Sequence, residues 1–234
     1  IYKSTRVLNL GQGEILMLTT YFIWMLVASS GLSLGLSVVL ALCLAVVIGL
    51  VIERFAMRPL IGQPVIAAIF ATLALGMILK GIVFLAFSHG EAQVFPTGLL
   101  PGGSIAFFGI SFPVLYLWGF IITLVMFGLL ILGFQYLKIG LSMRAVAEDH
   151  QLSRSLGINV KTVFSISWVV SCVLAAIAGL LQGGLYLIDP SMGMLSLSRA
   201  LPVILLGGLN SIPGALLGGF IIGVAELLSS TYPC

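Results

Sequence analysis

The chain has 234 residues, of which 60% are hydrophobic and 7% charged. A water-soluble domain carries about 25% charged residues, so that class is excluded, and a net charge of +3 is too small for a nucleic-acid binder. What remains is a polytopic membrane protein, a class whose helices use Gly more often than soluble ones do.

Residues 15–52 contain no charge. As one helix they would run about 57 Å at ~1.5 Å per residue, against a hydrocarbon core about 30 Å thick. The run therefore folds back at Ser29-Ser30-Gly31, with a first span over Gly13–Ser29 and a second over Leu32–Ile52. The polar stretch Glu53–Pro64 leads to a third span, Val65–Phe87, which carries Lys80. A Gly/Pro-rich connection, 88–111, precedes a fourth, Phe112–Leu137. The longest polar stretch, Lys138–Lys161, precedes a fifth, Thr162–Ile188. The final stretch, Ala200–Ala225, is uncharged but broken by Pro202, Gly207-Gly208, Pro213-Gly214 and Gly218-Gly219. It reads as a half-helix or re-entrant segment over Leu201–Leu209, a turn at Asn210–Pro213 and a closing helix over Gly214–Leu228. Non-helical backbone survives at membrane depth only where protein or a water-filled cavity satisfies it, which makes this stretch a candidate pathway wall. The expected fold is all-α: a polytopic transmembrane helical bundle of about six spans plus a broken or re-entrant segment, in one domain over residues 1–234.

Charge sets the orientation. Lys3, Arg6, Arg54, Arg58, Lys138, Arg144, Arg154 and Lys161 all fall on one side of this arrangement, and the positive-inside rule makes that side cytoplasmic. The opposite side holds the 88–111 connection, without Lys or Arg, and the 189–199 connection, with only Arg199.

No catalytic constellation stands out. Gly31-Leu32-Ser33-Leu34-Gly35 matches the nucleophile elbow G-x-S-x-G, but that motif needs a strand–turn–helix context, and here it opens a membrane helix. Two histidines, His89 and His150, fall on opposite faces. Cys43, Cys172 and Cys234 form no C-x-x-C or Cys/His cluster, so neither a metal site nor a disulfide framework is indicated. No phosphate-binding loop occurs, and no cofactor is expected. Ala175, Gly179 and Gly183 recur every fourth position, as do Gly214 and Gly218, and Gly219 and Gly223. Such faces let helix backbones approach, although small residues also line pores. Lys80 is placed to snorkel outward. Gln182 either bonds a neighbouring helix or faces a cavity. Glu14 follows Asn9-Leu10-Gly11-Gln12-Gly13 where the first span begins, a position the helix dipole favours for a carboxylate.

The polar connection 138–161 is the most informative soluble feature. Met143–Leu156 has helix-forming composition, with Ala145, Leu152 and Leu156 roughly on one face, Glu148, Asp149 and Arg154 around it, and Gly157 as a C-cap. Such a helix serves either as a linker or as a docking knob for a cytoplasmic partner.

Several motifs together resemble the permease subunits of branched-chain amino acid ABC importers. Asn9-Leu10-Gly11-Gln12-Gly13-Glu14 is similar to the family's Asn-Phe-Ala-His-Gly-Glu. Glu53-Arg54 with Arg58-Pro59-Leu60 matches its Glu-Arg and Arg-Pro-Leu. Arg144-Ala145, Ala147-Glu148-Asp149 and Leu156-Gly157-Ile158-Asn159 resemble its cytoplasmic loop. Pro190-Ser191-Met192-Gly193 and Leu206-Gly207-Gly208-Leu209-Asn210-Ser211-Ile212-Pro213-Gly214-Ala215 complete the pattern.

The resemblance implies a transport subunit in the bacterial inner membrane, with no catalytic residues. Its implied partners are cytoplasmic ATPase subunits, a second permease in a homo- or heterodimer, a periplasmic substrate-binding protein and the lipid bilayer. Residues 138–161 become the coupling loop, with Arg144, Ala147, Glu148, Asp149, Arg154 and Gly157 facing the ATPase. Asn9, Gln12, Glu14, Gln182, Gly207, Gly208 and Asn210 become the expected substrate pathway, since transporters line their paths with broken helices. Family members carry a further hydrophobic segment before the Asn9 motif and another after Glu226, so the chain is expected to be part of a longer one. Gln12 stands where His is common, and permeases for urea and short amides share most of these motifs. An ion-coupled secondary transporter is the rival class. It would place coupling carboxylates inside the spans, where only Lys80 lies well within.

Overall fold

The computed structural model describes residues 1–88, 91–96, 103–107 and 110–231; His89, Cys234 and part of the 88–111 connection lie outside them. Helices dominate. After a single turn, α1 (Tyr2–Thr5), come α2 (Gln12–Ala28), α3 (Leu34–Val51) and α4 (Val65–Val83). A short antiparallel hairpin follows, β1 (Ser104–Phe107) with β2 (Ile110–Pro113), pairing Ser104 with Pro113. Then come α5 (Val114–Tyr136), α6 (Lys138–Glu148), α7 (His150–Ser155), α8 (Val160–Leu185), α9 (Met192–Gly207) and α10 (Ile212–Thr231). Among the described residues five helical stretches are long and apolar enough to cross a membrane, and α2 and α9 are shorter apolar helices. The expected multi-span helical bundle is therefore what the chain forms.

Helix limits follow local chemistry. Pro64 and Pro113 directly precede α4 and α5, where a missing N–H costs nothing. Asn159 caps α8 by accepting from the Thr162 amide at 3.3 Å. At its C-terminal end α3 runs on through a π-helical turn, Ile52–Met57, and a 3₁₀ turn, Arg58–Leu60. This places Glu53, 1% exposed, in a bidentate pair with Arg58 at 3.0 and 2.8 Å. Ser165 on α8 donates to the same carboxylate at 2.9 Å.

The core lies between α2, α3 and α8. Ile15, Met17, Tyr21 and Ile23 of α2 are almost fully buried, as are Trp168 and Cys172 of α8. On α3 the buried positions are Ser37, Ala41, Ala45 and Gly49, all small and four apart. A Cβ on Gly49 would stand 2.8 Å from the Cα of Val169, so α3 and α8 meet backbone to backbone. The Ala175, Gly179 and Gly183 face of α8 is likewise a packing face: Gly179 abuts Leu16 and Thr20, and Gly183 abuts Thr20, Phe95 and Ile188. Gly214 and Gly218 seat α10 on α9, whereas Gly223 has nothing nearby. No residue of α5 is buried, and its Phe120, Leu124, Leu129 and Leu132 are exposed, as a lipid-facing helix requires.

Several expectations are corrected. The half-helix begins at Met192, not Leu201, and Pro202 sits inside it. The 189–199 stretch is therefore mostly helix rather than an outer connection, and Arg199 pairs with Glu226 of α10 at 2.8 Å. The Met143–Leu156 helix is two helices. Asp149 leaves helical geometry and its carboxylate accepts from the Gln151 and Leu152 amides at 2.7 and 2.9 Å, starting α7 anew. Ala145, Leu152 and Leu156 share no buried face: Met143, Val146 and Ala147 are buried, while Leu152 and Leu156 are 60% and 72% exposed. The fourth span starts at Val114, because β2 takes Ile110–Pro113.

Candidate functional site

The site is built where α2 begins. Residues 6–11 approach without regular structure and α2 starts at Gln12. Gln12 is bonded to Ser171, eleven residues into α8 from Val160. At ~1.5 Å per residue this places the start of α2 about 16 Å along α8 from its N-terminal end, inside the apolar stretch Val160–Leu185 that is long enough to cross a membrane. A chain break there needs internal partners, and three elements supply them. Asn9 Nδ2 donates to Gln12 Oε1 at 2.8 Å, and Asn9 Oδ1 accepts from the Gly11 amide at 3.0 Å. Gln12 Nε2 donates to the Ser171 carbonyl at 2.9 Å, and the Ser171 hydroxyl donates to Gln12 Oε1 at 3.0 Å. The Leu10 amide donates to Thr72 Oγ1 of α4 at 3.2 Å.

Glu14 lies in the first turn of α2 between two glycines. A Cβ on Gly76 would come within 3.3 Å of its Cγ, and a Cβ on Gly193 within 2.6 Å of its Oε2. A Cβ on Gly13 would overlap the Gly193 carbonyl. The starts of α2 and α9 thus meet, and only glycine leaves room for the carboxylate. Lys80, one turn beyond Gly76 on α4, is exposed.

A cavity of about 250 Å³ opens beside this junction, between α2, α8 and α9. Gln12, Gly13 and Leu16 line one side, Ala175 and Ala178 a second, and Ser196, Leu197 and Ala200 a third. Its walls are small or apolar, with Gln12 and Ser196 as the polar groups. Ser196 donates to Gln182 Oε1 at 2.8 Å, so Gln182 bonds the neighbouring helix and backs the cavity through that hydroxyl.

The remaining expected pathway residues are elsewhere. Gly207 packs so closely on Gly214 that a Cβ on either would overlap the other's backbone, and Gly208 turns the chain with φ at 85°. Both close the α9–α10 hairpin. Asn210 lies in that turn and accepts from Arg6 at 2.9 Å. Arg6 also donates to the Ala147 carbonyl and to Glu148, both at 3.2 Å, so Asn210 sits with the end of α6 rather than with Gln12. In the loop itself Arg144 and Arg154 are exposed. Gly157, at φ 80°, ends α7: its amide reaches the Arg154 carbonyl and that of Ile158 reaches Ser153, each at 3.0 Å, the Schellman pattern. Sequence reasoning missed Ser171, Ser196 and Thr72, which carry no local signal, gave Gly193 no role beyond its place in a motif, and counted Arg6 only as a charge.

The family described as branched-chain amino acid transport system, permease component, matches residues 1–233. The chain belongs to that family. It is 31% identical to the high-affinity branched-chain amino acid transport system permease protein LivH of Salmonella typhimurium, over 99% of this chain and 79% of that one. It is 33% identical to the permease protein BraD of Pseudomonas aeruginosa, over 97% of this chain and 77% of that one. It is 31% identical to a probable branched-chain amino acid transport permease, LivH, of Methanocaldococcus jannaschii, over 99% and 74%. No solved structure matches. As a member of this family the chain is a multi-pass membrane permease, a transport subunit rather than an enzyme, and one component of a larger transport system.

Proposed function

We propose that this permease forms one wall of the path by which an ATP-driven importer moves branched-chain amino acids inward. The observation that carries the reading is the small-walled, largely apolar cavity of about 250 Å³ beside a helix that starts at membrane depth. A branched aliphatic side chain suits such walls, and Gln12 with Ser196 supplies the few polar groups a small-molecule site uses for orientation. Asn9, Gln12, Glu14 and Gln182 belong to this path. The α6–α7 loop is the seat of a cytoplasmic ATPase, with Leu152, Arg154 and Leu156 exposed for contact and Asp149 and Gly157 fixing the shape of α7. A second permease completes the path and a periplasmic binding protein delivers substrate.

The test is reconstitution in liposomes with ATPase subunits, second permease and binding protein. Leucine uptake that requires ATP and the binding protein is expected, and Gln12→His is expected to change the leucine-to-valine preference. Replacing Glu148 and Asp149 together with Lys is expected to abolish uptake with the protein still inserted. Uptake independent of ATP would overturn the reading in favour of a secondary transporter, and uptake of urea or short amides alone would overturn the substrate.

A further inference from the structure

Among the described residues Arg6 is the one non-glycine residue in left-handed backbone, at φ 57°. That conformation is uncommon for a residue without Gly, Asn or Asp chemistry. Here it closes α1, where the Arg6 amide bonds the Tyr2 carbonyl at 2.9 Å, the left-handed geometry that commonly ends a helix. The Arg6 side chain reaches two separate pieces of chain. Its Nε donates to the Ala147 carbonyl at 3.2 Å, one terminal nitrogen to Asn210 Oδ1 at 2.9 Å, and the other to Glu148 Oε1 at 3.2 Å. One planar fork thus ties the end of α6 to the α9–α10 turn. Three residues further on, Asn9 bonds Gln12, and Gln12 grips α8 at Ser171.

We propose that Arg6 is the positioning residue that carries movement of the α6–α7 loop to both elements flanking the path: the α2 entry segment and the α9–α10 hairpin. This inference rests on the transport reading above. The Glu148 side chain is 80% exposed and that of Arg6 37%. An ion pair this open contributes little to stability, so the clasp is poorly suited to holding the fold and well suited to being pulled. Arginine is required because its rigid fork presents several donors at once, whereas lysine offers a single flexible point. Asn210, with no charge and no catalytic neighbour, acquires a role as the acceptor on the hairpin side.

The experiment compares leucine uptake with ATP hydrolysis in the full reconstituted complex. In Arg6→Gln, binding-protein-stimulated hydrolysis is expected to persist while uptake per ATP falls about fivefold or more, the usual scale of coupling between sites. Arg6→Lys is expected to behave like Arg6→Gln. Asn210→Ala alone is expected to lower the same ratio, and adding it to Arg6→Gln to lower it no further. An unchanged ratio in Arg6→Gln, additive effects in the double variant, or a parallel loss of hydrolysis, uptake and thermal stability would each overturn the proposal. If Arg6→Gln does not insert, the ratio in Asn210→Ala and in Glu148→Gln decides, and normal coupling in both overturns it. Absence of ATP-dependent uptake in the parent complex overturns the transport reading and this inference with it. Normal parent uptake with normally coupled variants overturns this inference alone.

Discussion

Gln12 is the most constrained polar residue of the candidate path. Its amide makes three bonds, to Asn9 and twice to Ser171, so its side chain is fixed rather than free to sample the cavity. Gly13 and Gly193 are constrained by space instead. Gly13→Ala would drive a methyl group into the Gly193 carbonyl, and overpacking of this kind costs about 1–3 kcal/mol. Gly128→Ala in the middle of α5 is the control, since nothing lies within 4 Å of the added carbon and alanine favours the helix by about 0.5–1 kcal/mol. Thermal unfolding in detergent is expected to move down for the first and up or not at all for the second. At this scale the sequence was half legible. Asn9, Gln12 and Glu14 stand out as polar residues opening an apolar run. Ser171 and Ser196 do not, because a serine in a membrane helix looks the same whether it faces lipid, bonds its own backbone or receives a neighbouring amide.

Among the elements, the α6–α7 loop depends on one cap. The Leu152 and Gln151 amides hold the Asp149 carboxyl below the usual carboxylate range. A carboxylate whose folded pKa is depressed stabilises the fold above its unfolded value, near 3.9, and the contribution is lost as pH falls through the folded value. Amide protection in α7 is therefore expected to hold from neutral pH down to about pH 4 and to fall below it. Asp149→Asn, which caps without a charge, should keep α7 and lose that pH dependence, whereas Asp149→Ala should fray α7 throughout. Hydrogen exchange read by mass spectrometry checks both, and equal protection in Asp149→Ala and the parent would remove Asp149 from this role. The sequence showed helix-forming composition across Met143–Leu156 and the glycine that ends it. It did not show the break, because a residue that caps one helix reads equally well as the middle of a longer one.

For the whole molecule, the basic residues predict which face is cytoplasmic. Single cysteines at Gln151 on α7 and Ser104 on β1, both exposed, test this after Cys43, Cys172 and Cys234 are replaced by Ser. An impermeant maleimide added to intact cells is expected to label position 104 and to spare position 151 until the membrane is opened. Labelling of both, or of 151 alone, would reverse or discard the orientation.

The sequence by itself determined the class and the rough placement of the apolar spans, and it predicts which face is cytoplasmic. These are one-dimensional properties: bilayer thickness is matched by the length of an apolar run, and topology by where lysine and arginine fall. Only the tertiary structure decided which polar groups meet. Gln12 with Ser171, Gln182 with Ser196, Glu53 with Arg58 and Ser165, and Arg6 with Ala147, Glu148 and Asn210 depend on the rotation and depth of each helix. A helix that is apolar all round carries no stripe from which its rotation can be read. Those angles are set by close packing of small residues, which needs the partner helix to be in place.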